Sequence, residues 1–146
     1  MMETYGLVDR TGWAPGPWDG EPDEVTWRAL GYACRAMRHP EIGAWAGYVE
    51  IPLDHPWFGK FYDRLPDVDV HGGLTFADSI AEGWWIGFDC GHFMDVMPGL
   101  DALLVRIGAR DASTEKWGTY KTLPYVSTEV GRLLVRSYRS LSDAVG

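Results

Sequence analysis

At 146 residues, 46% hydrophobic and 14% aromatic, the chain is sized for a single domain, 1–146, able to bury roughly two thirds of its unfolded surface. Thirteen Lys and Arg against twenty-one Asp and Glu give a net charge of -8, which gains nothing from counterion release on a phosphate backbone and argues against nucleic acid as a partner. No apolar run approaches about 18 residues, and MMETYGLVDR has neither the basic nor the apolar region of a secretion signal, so no membrane span and a cytoplasmic location are expected.

Residues 1–20, with GWAPGPWDG, have no period and are expected to wrap the surface, pinned by Trp13 and Trp18. EPDEVTW opens with turn chemistry and enters a short strand ending near Leu30; Gly31 to Arg38 is a second strand, of undecided facing. Ala44 to Ile51 alternates, with Trp45, Val49 and Ile51 on one face and Tyr48 and Glu50 on the other, and the HPEIG before it is a hairpin loop. Pro52 ends that strand. His55 to Leu65 spaces Trp57, Phe58, Phe61, Tyr62 and Leu65 as a short helix or helical turn would.

The densest chemistry lies between Asp67 and Asp95. Asp67 to His71 alternates as a strand, Val68 and Val70 against Asp69 and His71, before Gly72-Gly73. Gly83 to Cys90 alternates as another: Trp84, Ile86, Phe88 and Cys90 face the core, and Trp85, Gly87 and Asp89 face away. An indole, a gap and a carboxylate in a row suit a ligand lying against the backbone at Gly87. From residue 97 to residue 117 the pattern is silent, apart from Leu103 to Ile107, which suits strand or helix alike.

The C-terminal segment predicts a helix, with Val126, Val130, Leu133, Leu134, Tyr138 and Leu141 on one stripe and Arg132, Arg136 and Arg139 opposite. Pro124 suits its first turn and Thr122 its cap. The fold class that follows is α+β: an antiparallel sheet of four to five strands with the C-terminal helix packed on one face. Cys34 and Cys90 fall in apolar runs and are expected to be buried free thiols in a reducing compartment.

On the face away from the helix this arrangement collects Tyr48 and Glu50, Asp69 and His71, and Trp85 and Asp89. The expected ligand-binding residues are Tyr48, His71, Thr75, Trp85, Asp89, His92 and Asp95. Asp89, His92 and Asp95, D-x-x-H-x-x-D, offer with His71 ligands that suit Zn, Mn or Fe. The spacing is no metal signature, however, and such residues more often brace loop backbone. No metal and no cofactor are assigned. No G-x-S-x-G elbow, P-loop or G-x-G-x-x-G is present, and Cys90 on a core face is inert, so no catalytic residue is assigned either. Gly72-Gly73 is either an anion-binding nest or a plain turn.

GPWDGEPD at Gly16 to Asp23, GAWAGYVEIP at Gly43 to Pro52, HPWFGKFYD at His55 to Asp63, DVHGGLTF at Asp69 to Phe76, WWIGFDCGH at Trp84 to His92 with Asp95, and YVSTEV at Tyr125 to Val130 resemble a family of uncharacterised small proteins. The family is common in tailed bacteriophages and prophage-carrying bacteria. Members often have a Cys before the Gly-Tyr-Val strand, where this chain has Trp45 and Ala46. The resemblance implies a phage gene expressed in the host cytoplasm, where small proteins frequently inactivate host defence, some by sequestering a nucleotide immune signal.

Three readings are therefore carried forward. The first is a small-ligand-binding protein, its ligand nucleotide-derived, with Trp85 stacking and His71, Thr75, Asp89 and His92 as polar contacts. The second is a metal-dependent or His/Asp hydrolase using His71, Asp89, His92 and Asp95. The third is a protein-binding inhibitor module anchored by exposed Trp and Tyr. Homo-oligomerisation is left open.

Overall fold

Two tight hairpins frame the sheet. Leu30 and Gly31, at φ of 52° and 80°, join β1 (Glu24–Ala29) to β2 (Tyr32–Arg38). Ala81 and Glu82, at 48° and 70°, join β4 (Phe76–Ile80) to β5 (Gly83–Asp89). Paired positive φ values are the turn geometry whose twist matches that of the flanking strands. β3 (Trp45–Ile51) lies between the hairpins and completes a five-stranded, wholly antiparallel sheet of order β1-β2-β3-β5-β4. The computed structural model describes residues 8–111 and 118–145. Its helices are α1 (Pro98–Arg106) and α2 (Leu123–Val145), and the fold is α+β as the pattern predicts.

α2 lies across β3 and β2. Val126, Val130, Leu133 and Leu134 meet Trp45, Val49, Ile51, Ile86 and Phe88 in the main core. A side chain at Gly47 would collide with Val130 and Phe88, so this glycine sets how closely the helix approaches β3. Thr122 caps α2, its Oγ1 accepting the Tyr125 N–H at 3.3 Å. The stripe departs from expectation at its end: Tyr138 is 46% exposed and Ser137 is buried, its hydroxyl returned to the Leu133 carbonyl at 2.8 Å. The Ser137 carbonyl accepts His55 Nε2–H at 2.7 Å, while His55 Nδ1 accepts the Trp57 N–H at 2.9 Å, so a buried imidazole fastens the 55–57 turn to the helix.

One expected element is absent, and another is present in its shorter form. Asp67 to His71 is not a strand; Val68 and Val70 are buried, but from a loop, and the fifth strand is Phe76–Ile80. His55 to Leu65 is a chain of hydrogen-bonded turns ending in a short 3-10 turn at Tyr62–Arg64, because Pro56 lacks a donor and Gly59 sits at φ of 77°. Leu103 to Ile107 resolves as the end of α1 and its C-cap.

Of the segment expected to wrap the surface, residues 1–7 lie outside the described residues; the rest packs on the body through Trp13 and Trp18. Trp18 is buried with its ring edge-on to Tyr120, centroids 5.0 Å apart, and Trp13 carries the Arg10 and Arg38 guanidiniums over its ring. Beneath it Arg38 is fully buried. It donates to Asp23 Oδ1 (2.9 Å), Glu21 Oε1 (3.1 Å), the Gly43 carbonyl (2.7 Å), Tyr120 OH (2.8 Å) and the Pro22 carbonyl (3.5 Å). Glu21 also accepts from Tyr120 OH, Trp45 Nε1 and the Leu123 N–H at the start of α2. Burial is the largest single influence on this carboxyl and pushes its pKa up, but those four donors together outweigh it and hold it below the ordinary value.

Candidate functional site

The cross-strand register builds a hollow on the sheet face away from α2. Met37, Ala46 and Asp89 stand in one row across β2, β3 and β5. Tyr48, Gly87 and Phe76 stand in the next usable row across β3, β5 and β4. Because Ala44 and Ala46 are small where Met37, Tyr48 and Phe76 are large, the surface is depressed between them. The connection from β2 to β3 closes the far side. The resulting cavity, about 330 Å³, is lined on this face by Met37, His39, Ile42, Ala46, Tyr48, Thr75, Phe76, Asp89 and Gly91.

Its walls are aromatic and aliphatic, and its few polar side chains stand at its edges, Thr75 and Asp89 on one side and His39 on the other. Asp89 Oδ2 accepts the Thr75 hydroxyl at 2.9 Å and Oδ1 accepts the Gly91 N–H at 2.9 Å, which fixes the carboxylate at the cavity mouth. His39 Nδ1 faces the Glu41 and Ile42 N–H groups at 3.1 and 3.3 Å, which holds the ring at the opposite rim. Among the described residues no Lys or Arg lines the space.

The gap at Gly87 is filled from within. The Tyr48 ring lies over it, and Phe76 meets Tyr48 edge-on at 5.3 Å. The glycine therefore accommodates a tyrosine of the same sheet, and the ligand space lies one row further along, over Ala46.

The seven residues predicted from sequence divide into three places. Tyr48, Thr75 and Asp89 line the cavity. Trp85 is on the same face but outside it, paired across the strands with Glu50 and Asp78. His71, His92 and Asp95 form a second group. Asp69 and His71 do not belong to the outer sheet face as expected: their loop crosses to the helix side, where His71 meets Tyr125 and Asp69 lies 3.6 Å from Arg132.

In that second group His71 joins Asp95 Oδ2 through Nε2 at 2.8 Å and Tyr125 OH through Nδ1 at 2.8 Å. A carboxylate only accepts, so Nε2 carries the proton and, in the neutral ring, Nδ1 accepts the phenol hydrogen. Asp95 is buried and also accepts the His92 N–H at 3.0 Å and Lys121 Nζ at 3.2 Å. A carboxylate, an imidazole and a hydroxyl in series have the form of an activated nucleophile. Burial, followed by the Glu129 charge, pushes the Tyr125 pKa up, which keeps its hydroxyl protonated. The arrangement braces the 92–95 loop and the His71 turn against the first turn of α2.

His92 links the two places. Its Nε2 lies 3.4 Å from Asp89 Oδ1, too long for a good hydrogen bond, and is buried without a hydrogen-bond partner, pressed against Gly72. Among the described residues no three His, Cys, Asp or Glu side chains are placed to hold a metal ion. Cys34 and Cys90 are buried and unpaired, and burial is the main cause that raises both thiol pKa values away from reactivity. No helix among the described residues is long and apolar enough to cross a membrane.

Sequence reasoning missed Met37, His39, Ile42, Ala46, Phe76 and Gly91. The signal was present only in combination: two alanines and a tyrosine alternating at Ala44, Ala46 and Tyr48, followed by knowledge of which strands flank them. Comparison with protein-family models, with curated proteins and with solved structures finds no match to this chain.

Proposed function

We propose that this protein binds a small planar ligand of nucleoside type in the cavity over Ala46 and sequesters it without transforming it. The observation that carries this reading is the cavity itself: about 330 Å³ of concave, mostly apolar space, within the range of small-molecule sites, with few polar groups gathered at its rim. Tyr48 and Phe76 offer ring faces and edges to a base, and the fixed Asp89 carboxylate accepts hydrogen bonds from an exocyclic amine or a sugar hydroxyl. With no cation in the lining, any phosphate on the ligand stays at the mouth, in solvent. In the phage setting that the sequence resemblance implies, the ligand is a nucleotide-derived signal of the host, captured in the host cytoplasm as an anti-defence measure. The hydrolase reading has less support, because no metal-binding cluster is placed among the described residues.

The experiment is isothermal titration calorimetry with the four ribonucleosides and their 5′-monophosphates, followed by chromatography of the recovered ligand. One base is expected to bind, and the ligand to be recovered intact. Asp89→Asn should weaken binding about tenfold or more by removing a charged acceptor. Ala46→Trp, with its fold checked by thermal melt, should abolish binding by filling the hollow. Undiminished affinity in a folded Ala46→Trp variant would remove the cavity as the site.

A further inference from the structure

On the opposite side of the molecule, the outer face of α2 carries a feature the ligand cavity does not use. Arg132, Arg136 and Arg139 stand one above another along the helix at i, i+4 and i+7. With Val68, Asp69, Thr128, Gly131 and Val135 they line an open groove of about 540 Å³ between α2 and the loop before His71. In a chain with 21 acidic and 13 basic residues, two of these three guanidiniums, Arg136 and Arg139, have no carboxylate partner among the described residues. Arg136 lies over the Trp57 ring at 5.5 Å and bonds Ser140. Arg139 is exposed and has no carboxylate partner among the described residues. Arg132 reaches Glu129 on its own helix at 3.1 Å, and Asp69, whose side chain is fully exposed, at 3.6 Å.

A second observation is independent of charge. Gly131 sits in the interior of α2, where glycine is the poorest helix former after proline. A Cβ there would meet nothing within 4 Å. Among the described residues nothing requires the missing side chain, unlike at Gly47, where Val130 of α2 fills the space. The glycine bares helix backbone at the floor of the groove, between Thr128 and Val135. Val135 is an exposed apolar residue set among the arginines, so the floor is apolar and the walls are cationic.

We infer that this groove is a docking site for an acidic segment of a partner protein, whose carboxylates pair with Arg132, Arg136 and Arg139 and whose small apolar residues rest on Gly131 and Val135. Guanidiniums match carboxylates in paired, planar geometry. A nucleic acid fits less well, because the groove's lining has no aromatic ring among the described residues for a base to stack on. An anionic membrane fits less well, because three guanidiniums fall below the clusters of about four to eight that hold a surface.

The test is fluorescence anisotropy on the full chain with a labelled synthetic helix-forming peptide bearing Glu at i, i+4 and i+7 with Ala and Leu between, beside its Gln counterpart. The Glu peptide is expected to bind and the Gln peptide not to. Each of Arg136→Gln and Arg139→Gln should weaken binding about threefold to tenfold, and raising salt from about 50 to 300 mM should weaken it further. Gly131→Leu should abolish binding while leaving the thermal melt unchanged or raised, since leucine is the better helix former. Absence of Glu-peptide binding at low salt would overturn the proposal, as would equal binding of the Gln peptide. Full affinity in a folded Gly131→Leu variant would do the same. Arginine-dependent binding of phosphatidylserine vesicles in place of the peptide would assign the groove to a lipid surface and overturn it too.

Discussion

Two polar networks meet the start of α2, and they are finished to different degrees. Around Arg38, all five guanidinium N–H groups have acceptors, Glu21 receives four donors, and the whole lies under the N-terminal wrap. Around His71 and Asp89 the accounts stay open: His92 Nε2 is buried without a partner, its carboxylate neighbour is 3.4 Å away, and Thr75 and Tyr125 reach solvent. A network with every donor matched has no capacity for anything outside the chain, and its work is to hold the fold. A network with slack beside a cavity has polar capacity to offer a visitor. Residue types alone do not distinguish them, since both contain carboxylates, a tyrosine and a cation.

The contrast is testable, most severely at the closed network. Glu21→Gln leaves buried Arg38 with Asp23 as its remaining carboxylate and should cost about 3 kcal/mol in urea denaturation. The same residue sets an acid limb. Its carboxyl is held below the ordinary value of 4.5, so the fold favours the charged form. Its stabilisation is complete above about pH 4.5 and is lost as pH falls through the folded value. The stability gap between wild type and Glu21→Gln should therefore narrow as pH falls below about 4.5; a constant gap would show that the ion pair is not its origin.

His71→Ala should cost less, about 1 to 3 kcal/mol, for two lost hydrogen bonds and a buried Asp95 left to Lys121 and the His92 N–H. Nucleoside affinity should not change, because His71 lies outside the cavity. A variant that melts normally but no longer binds would move the site to the His71 group.

Smallest of all, Thr75→Val removes one hydrogen bond from an exposed rim and should shift stability by less than about 1 kcal/mol. Affinity should fall severalfold as Asp89 loses its orientation. If the stability loss matches that of Glu21→Gln, the rim is as tightly finished as the core and the distinction fails.

What the sequence made legible was whatever repeats within one element. α2 shows its period because its buried residues all answer to the same sheet, β3 shows its own because α2 covers one face of it, and β5 because Trp84, Ile86 and Phe88 all enter the main core. Asp67 to His71 imitated a strand because Val68 and Val70 are both buried, from a loop, and alternation of burial does not require a ladder. β4 was silent for the opposite reason: Phe76–Ile80 is an edge strand whose core contact is Ala77, too small to register against Asp78 and Ser79. Tyr48, Thr75 and Asp89 were found because strand parity puts Tyr48 and Asp89 on the outer face. The hollow between them was not, because a cavity is a relation among three strands and a loop, and no local period encodes the register that aligns Met37, Ala46 and Asp89.

The contact between Glu21 and the Leu123 N–H spans 102 residues of sequence, and that with Tyr120 spans 99. A chain emerging from the ribosome makes the β1–β2 hairpin early, but the acceptors and donors that satisfy Arg38 are complete only once the start of α2 has been synthesised. Until then Arg38 lacks the Tyr120 hydroxyl, and Trp18 lacks the Tyr120 ring it packs against. Closing so long a loop is slow relative to hairpin formation. The contacts that join Glu21 to Tyr120 and Leu123 are therefore expected to form after the β1–β2 hairpin.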